Sequence, residues 1–289
     1  MMDSISAFKT TQVMLTNEFE IYHYRETFFK PIDFHNHDFY ELYFFLDGGV
    51  TYYIEDQVYE LEPGELLVIP PGRMHRPVIF DSSAVYERMV LWINVDYLHT
   101  LEGGTGIVTK TLRLFNGTNG YLLHTDDEAF SFLLGIFRRL IPLAKETSPL
   151  ASFQQKTLIS ALLGEICQKH EEPQNAPELP KKPELIPDVI RYINEHFTEP
   201  LKLDDICSVF FVSKYHLIRK FKEYTNTTVY HYILSKRIVL ARHLIRQGIT
   251  VTSVAEQCGF SDYSNFYKAF TAKVGMTPAQ FKKYCGHEF

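Results

Sequence analysis

Residues 19 to 95 alternate aromatic or β-branched side chains with polar ones in short runs, as in TYYIEDQVYEL, GELLVIP and RMVLWINV, with Gly and Pro between them. A period of two puts successive side chains on opposite faces, so the spacing predicts an all-β region buried on one side. From 126 to 146 and from 149 to 171 the period changes to that of a helix. Phe130, Leu133, Leu134, Phe137 and Leu140 make one stripe, and Leu158, Ile159, Leu162, Leu163 and Ile166 another. These stripes most simply pack on the β region, and one of them is also a candidate seam for a homodimer. PQNAPELPKKP follows, with Pro173, Pro177, Pro180 and Pro183 too close together for a helix or a central strand. Beyond it every pattern is helical. The expected organisation is therefore a domain over 1–172, a linker over 173–183 and an all-α domain over 184–289.

The helical part contains a repeat. SKYHLIRKFKEYTNTTVYHYI resembles SDYSNFYKAFTAKVGMTPAQF, with Ser213 against Ser261, Phe221 against Phe270, Asn226 against Gly275, Thr228 against Thr277 and Tyr232 against Phe281. The offset passes from 48 to 49 between Ser213 and Phe221, which places the change inside the helix. Each copy reads as a short helix, a tight turn and a second helix. Gly259 allows the second turn a positive φ, and Phe211 holds the equivalent place in the first. Thr277-Pro278-Ala279-Gln280 fits a capping box with Pro at the first helical position. An apolar-striped helix from about Thr228 to Arg246 joins the copies rigidly. The pattern is that of two tandem helix-turn-helix units.

Composition alone excludes disorder and fibrous classes: of 289 residues 45% are hydrophobic and 22% charged. No apolar run approaches the ~20 residues of a membrane span. The start, MMDSISAFKTTQVML, lacks the apolar stretch and cleavage site of a signal peptide, so a cytoplasmic protein without a membrane partner is expected. Cys167, Cys207, Cys258 and Cys285 form no CxxC pair, which fits reduced thiols better than a disulfide framework or zinc finger. Net charge is -6, but it is unevenly spread. Residues 1–182 hold 15 Lys and Arg against 25 Asp and Glu, net -10, whereas 201–289 hold 13 against 6, net +7. That asymmetry points the tail at a polyanion.

In a helix-turn-helix the second helix enters the major groove, so one face anchors in the core while the other offers groups to base edges. Leu217 and Phe221 anchor the first, leaving Lys214, Tyr215, Ile218 and Arg219 for the groove and Lys222 for phosphate. Phe266 and Phe270 anchor the second, leaving Asp262, Tyr263, Ser264, Tyr267 and Lys268. At this point the chain resembles the AraC/XylS transcriptional regulators, most strongly over 201–284, where LKLDDICSVFFVSKYHLIRKFKEYT and ITVTSVAEQCGFSDYSNFYKAFTAKVGMTPAQFKKY carry the likeness. The resemblance implies that both recognition helices enter successive major-groove segments on one face of double-stranded promoter DNA. It implies base contacts from Tyr215, Ile218 and Arg219, then Tyr263, Ser264 and Lys268. Ile218 departs from the polar residue often found there, so it has either an apolar contact with a thymine methyl or no role. RNA polymerase is a further expected partner.

In the front domain HNHDFYE puts His35, His37 and Glu41 at one parity, hence on one face of a strand. With GELLVIPPGRMH, in which Pro70, Gly72 and His75 keep the spacing, the segment resembles the two cupin motifs. The leading Gly falls at Phe29 and the closing Asn at Ile79, so both ends of the pattern are broken. The resemblance implies a cupin-like β-barrel of jelly-roll type with two trailing helices, and so an α+β two-domain chain. It also implies that His35, His37, Glu41 and His75 point into the barrel. There they either bind a small effector directly or hold a divalent metal, for which three imidazoles and a carboxylate suit Fe, Mn, Ni, Cu or Zn. Phe34, Phe39, Tyr43, Tyr52 and Trp92 are either sugar-stacking platforms or plain core. Arg73 and Arg76 beside His75 either meet an anionic effector or are solvated.

The expected function is a DNA-binding transcriptional regulator, not an enzyme, controlled by a small molecule in the barrel, with a carbohydrate or related metabolite as the expected effector. The effector must bind the DNA-competent and incompetent states unequally, through altered pairing or release of an arm at residues 1–18. The alternative is a metal-dependent cupin enzyme, an oxygenase or isomerase, fused to a DNA-binding tail.

Overall fold

The computed structural model describes residues 14–27, 32–80, 85–117, 120–171 and 184–285. The linker expected at 173–183, most of the arm at 1–18, and Phe29 lie outside them. The chain divides into two compact units, the first built mainly from Phe39–Pro71 and Pro77–Lys181, the second mainly from Lys182–Phe289. Among the described residues no helix is long and apolar enough to cross a membrane.

In the first unit the alternating runs form β1 (Phe19–Glu26), β2 (Tyr40–Asp47), β3 (Val50–Ile54), β4 (Gln57–Glu60), β5 (Leu66–Ile69), β6 (His75–Ile79), β7 (Tyr86–Ile93) and a short β8 (Leu122–Leu123). They make a five-stranded sheet, β1-β7-β2-β5-β8, and a three-stranded sheet, β4-β3-β6. Among the described residues the expected barrel is two sheets that do not close into one. Antiparallel register places Glu41 opposite Trp92, Tyr43 opposite Val90 and Phe45 opposite Arg88 on β7. On the other side of β7 it places Tyr24 opposite Arg88 and Glu26 opposite Tyr86.

The two faces of the large sheet differ. Leu42 and Phe44 alternate with Glu41 and Tyr43, and Phe44 meets the rings of Phe130 at 5.7 Å and Phe137 at 5.4 Å. Those rings belong to α3 (Asp127–Leu143), which Asp126 caps by accepting the Ala129 N–H at 2.8 Å. The following helix, α4 (Pro149–Glu171), buries Ile159, Leu162, Leu163 and Ile166 in the same core. Each fully buried Leu, Ile or Phe stabilises by roughly 1.5–3 kcal/mol, so the helices and this face hold each other in place. The other face of the sheet turns to the small sheet, as the Tyr43 and Tyr52 rings show by meeting at 4.7 Å. Between β7 and α3 lie α1 (Val95–Leu101) and α2 (Ile107–Leu112).

The second unit is all helical: α5 (Leu185–His196), α6 (Leu203–Val209), α7 (Lys214–Thr225), α8 (Val229–Arg246), α9 (Val251–Gln257), α10 (Tyr263–Val274) and α11 (Pro278–Cys285). Thr228 caps α8 through the His231 N–H. The Thr277–Gln280 box is reciprocal: Thr277 N–H donates to Gln280 Oε1 at 2.9 Å and Gln280 N–H to Thr277 Oγ1 at 3.2 Å. The repeat is more regular than its sequence alignment. α7 and α10 are both 12 residues, capped by Ser213 and Asp262 and closed by left-handed Asn226 and Gly275. Counting back from the caps corrects the pairing of Ser213 with Ser261. The added residue sits in the turn, between Phe211 or Gly259 and the cap, and not inside the helix.

Candidate effector site and DNA interface

Among the effector candidates, the structure draws three together. His37, Glu41 and His75 each offer a ligand atom, and these atoms lie within 4.8 Å of one another, all three side chains being buried. His35 is not in that group. β2 begins only at Tyr40, so His35 and His37 precede the strand instead of sharing a face along it. His35 instead forms a two-way backbone bridge with His75, at 3.1 and 2.9 Å, and its Nδ1 donates to the Asp33 carbonyl at 3.0 Å. His75 Nδ1 donates to the Arg73 carbonyl at 2.8 Å. A carbonyl can only accept, so Nδ1 carries the hydrogen, and the neutral ring presents its lone pair at Nε2, the tautomer a ligand or metal uses. Arg73 is half-buried and supplies that carbonyl.

Glu41 continues this cluster along the inner face of the large sheet. Its Oε2 accepts the Trp92 indole N–H at 3.0 Å. Register then places Tyr43, Arg88, Tyr86, Tyr24 and Glu26 on the same face. Arg88 is 2% exposed, ion-paired with Glu26 at 3.0 Å, and lies over the rings of Tyr24 at 4.6 Å and Tyr86 at 4.2 Å. Burial opposes its charge, but the surrounding Tyr86 and Tyr43 hydroxyls and the paired Glu26 carboxylate hold the guanidinium in its charged form and raise its pKa. Burial pushes the Tyr43 and Tyr52 phenols well up, with the Glu41 carboxylate adding to the shift at Tyr52, so both remain neutral hydrogen-bonding groups. The inside of a sandwich is ordinarily its most apolar place. Here it carries a guanidinium, carboxylates, imidazoles and several phenols, which a stable fold does not need and a polar ligand does.

Phe39, Tyr43, Tyr52 and Trp92 are buried, and Trp92 already meets the Phe39 ring at 4.8 Å and the Tyr22 ring at 5.0 Å. Sequence reasoning missed Arg88, Tyr24, Tyr86 and Glu26. Tyr86, Arg88 and Trp92 share a parity, which was the available signal, but the face they occupy is fixed by pairing with strands far away in the chain.

In the helical unit Leu217, Phe221, Phe266 and Phe270 are fully buried, and all ten candidate DNA-contacting residues are exposed. Several have partners to surrender. Arg219 pairs with Glu223 at 2.8 Å and Lys214 with Asp204 at 2.6 Å, exposed pairs whose stabilisation is small. Asp262 works as a cap: its carboxylate accepts the Asn265 N–H at 2.8 Å and the Asn265 side-chain amide at 2.6 Å. If Arg219 reads a base edge, Arg219→Ala is expected to weaken the specific complex by about 1–3 kcal/mol and relax preference at one base position. Titrating selected and scrambled duplexes checks this; equal loss on both makes Arg219 a phosphate contact.

Two units so built, one with a polar interior and one presenting paired recognition helices, define a ligand-responsive DNA-binding protein. Residues 18–163 match the family described as the AraC-like ligand binding domain, and 206–284 match a helix-turn-helix domain. The chain belongs to the AraC family of transcriptional regulators, and is an effector-controlled DNA-binding regulator. It is 23% identical over 256 residues to the HTH-type transcriptional activator RhaR of Escherichia coli (strain K12), covering 86% of each chain. It is 27% identical over 232 residues, 80% of each chain, to the uncharacterized HTH-type transcriptional regulator YbfI of Bacillus subtilis. Among solved structures it is similar to ToxT of Vibrio cholerae, at 16% identity and a TM-score of 0.38, covering 92% of this chain and 98% of that one.

Proposed function

We propose that the effector is a carbohydrate or related polyhydroxylated metabolite, held on the inner face of the five-stranded sheet, and that α7 and α10 are the helices that read DNA. The observation that carries the effector assignment is Arg88, buried among phenols on the same face as Glu41 and Trp92. Carboxylates, a guanidinium and phenols supply donors and acceptors in both senses, and the phenol rings supply apolar surface. Sugar hydroxyls and ring faces require that mixture. Thermal unfolding of the full chain against a panel of neutral and acidic monosaccharides tests it. Stabilisation by a neutral sugar is expected, and stabilisation by acidic sugars alone would overturn the neutral polyol reading.

A divalent metal is a second reading for the His37–Glu41–His75 end, favoured by the convergence of three ligand atoms. Two imidazoles and a carboxylate form a three-residue set that leaves coordination positions open for a ligand. Trp92 would orient the carboxylate from behind. Titrating metal-free protein with Zn²⁺ or Fe²⁺ is expected to show one equivalent bound, lost in His37→Ala. Absence of binding removes the metal and leaves the effector reading standing.

Pairing of two copies belongs to the same proposal. The apolar stripes of α3 and α4 pack on the sheet, and the surface left for a partner is Phe132, Leu150 and Phe153, all exposed. Contact with RNA polymerase and action in the cytoplasm complete the proposed setting.

A further inference from the structure

The two helix-turn-helix units share a backbone plan but present different chemistry. Around the start of α10 the exposed groups are Tyr263, Ser264, Tyr267 and Lys268, each bearing a hydroxyl or an amine, and none of these four side chains is wholly apolar. Around the start of α7 three large side chains with extensive apolar surface stand in solvent: Phe211 is 95% exposed, Tyr215 78% and Ile218 45%. Tyr215 and Ile218 are three apart, adjacent on one helix face. Arg219 follows on the same face as the candidate for a base edge, and Lys222, a turn further on, suits phosphate.

Phe211 is the least expected of the three. It holds φ at +53°, a left-handed conformation that side chains avoid and that the second copy gives to Gly259 at φ +78°. A Gly there would relieve the backbone and remove an aromatic ring from water. Holding Phe in that place costs local stability, and the ring so exposed is available for contact.

In the major groove only one base-pair feature rewards apolar surface, the C5-methyl of thymine. Resting on the assignment of α7 to DNA reading, we propose that the first unit reads thymine methyl groups through the wholly apolar side chains Phe211 and Ile218, with the ring of Tyr215 beside them, while the second reads hydrogen-bonding edges. The operator then has two chemically unlike halves, one recognised chiefly by methyl contacts and one by polar contacts.

Thymine and deoxyuridine differ only by that methyl, so they isolate the effect. The full chain is first used to select a binding site from random duplexes, and each thymine of that site is then replaced by deoxyuridine in turn. Affinity is expected to fall about fourfold at each methyl read, the effect of one buried methyl-sized group, with all sensitive positions in one half of the site. At the thymine nearest Ile218 that sensitivity is expected to vanish in Ile218→Ala, and at all of the sensitive positions to persist in Tyr267→Ala. Sensitivity spread over both halves, absent altogether, or unchanged at every position in Ile218→Ala would overturn the proposal. Failure to select any site would instead defeat the assignment of α7 and α10 to DNA. Phe211→Gly separates contact from folding. It is expected to raise the unfolding temperature while lowering affinity for the selected site, and unchanged affinity would remove Phe211 from the reading surface.

Discussion

Gly259→Ala is expected to destabilise the helical unit by about 3 kcal/mol and to abolish specific DNA binding with it. Two costs combine. At φ +78° an L side chain is strained by roughly 1 kcal/mol. The added Cβ would also stand 2.4 Å from the Thr198 carbonyl oxygen and 2.6 Å from its carbon, backbone atoms that cannot swing aside. Forcing that overlap adds about 1–3 kcal/mol. Gly275 provides the control, since it has the same φ of +78° but nothing within 4 Å of its virtual Cβ. Gly275→Ala should therefore cost only the backbone part, about 1 kcal/mol. Urea unfolding of the full chain, followed on the helical signal, separates the two variants. Equal destabilisation would mean that the approach of Thr198 to Gly259 is not a constraint in solution.

Arg88→Ala is expected to cost about 3 kcal/mol in the first unit, and Arg88→Met to recover most of that. The alanine leaves the Glu26 carboxylate without its cation at 3.0 Å and opens space between the Tyr24 and Tyr86 rings. Removing one member of a buried pair is costlier than replacing it with apolar volume, because the loss is mostly the charge left behind. Glu26 is 20% exposed, so water offsets part of that cost. Methionine fills the space and suits aromatic neighbours. If Arg88 also holds the effector, both variants lose the ligand-induced stabilisation found in the sugar screen. A methionine variant that keeps it would make Arg88 a structural residue only. An alanine variant as stable as the parent would show that the pair contributes nothing.

Local signals in the sequence are the ones that reappear in the structure. The helix starts at Thr228 and Pro278, the tight turns at Phe211 and Gly259, and the buried anchors Leu217, Phe221, Phe266 and Phe270 depend on neighbours within a few residues. What escaped the sequence depends on distance along the chain. The face occupied by Arg88 is set by pairing with Tyr24 and Phe45, residues 64 and 43 positions away. Parity suggested that His35, His37 and Glu41 share a strand, but β2 begins at Tyr40, and the backbone of His35 is engaged with His75 instead. An open pair of sheets and a closed barrel have the same alternation, so periodicity cannot choose between them. The shift of the repeat offset was visible, but its place became clear only from the caps.

The connector α8 has a further meaning. It runs 18 residues without a break, about 27 Å at 1.5 Å per residue, between the two reading units. For the proposed two-helix reading it acts as a ruler and a clock hand together. One residue added to it would turn the second reader by about 100° and advance it by only ~1.5 Å. One base pair added between half-sites turns the far half by about 35° and advances it ~3.4 Å. The two screws have different pitch, so no short insertion in the protein compensates for one in the DNA. Operator spacing is thereby written into the length of a helix that need touch no base.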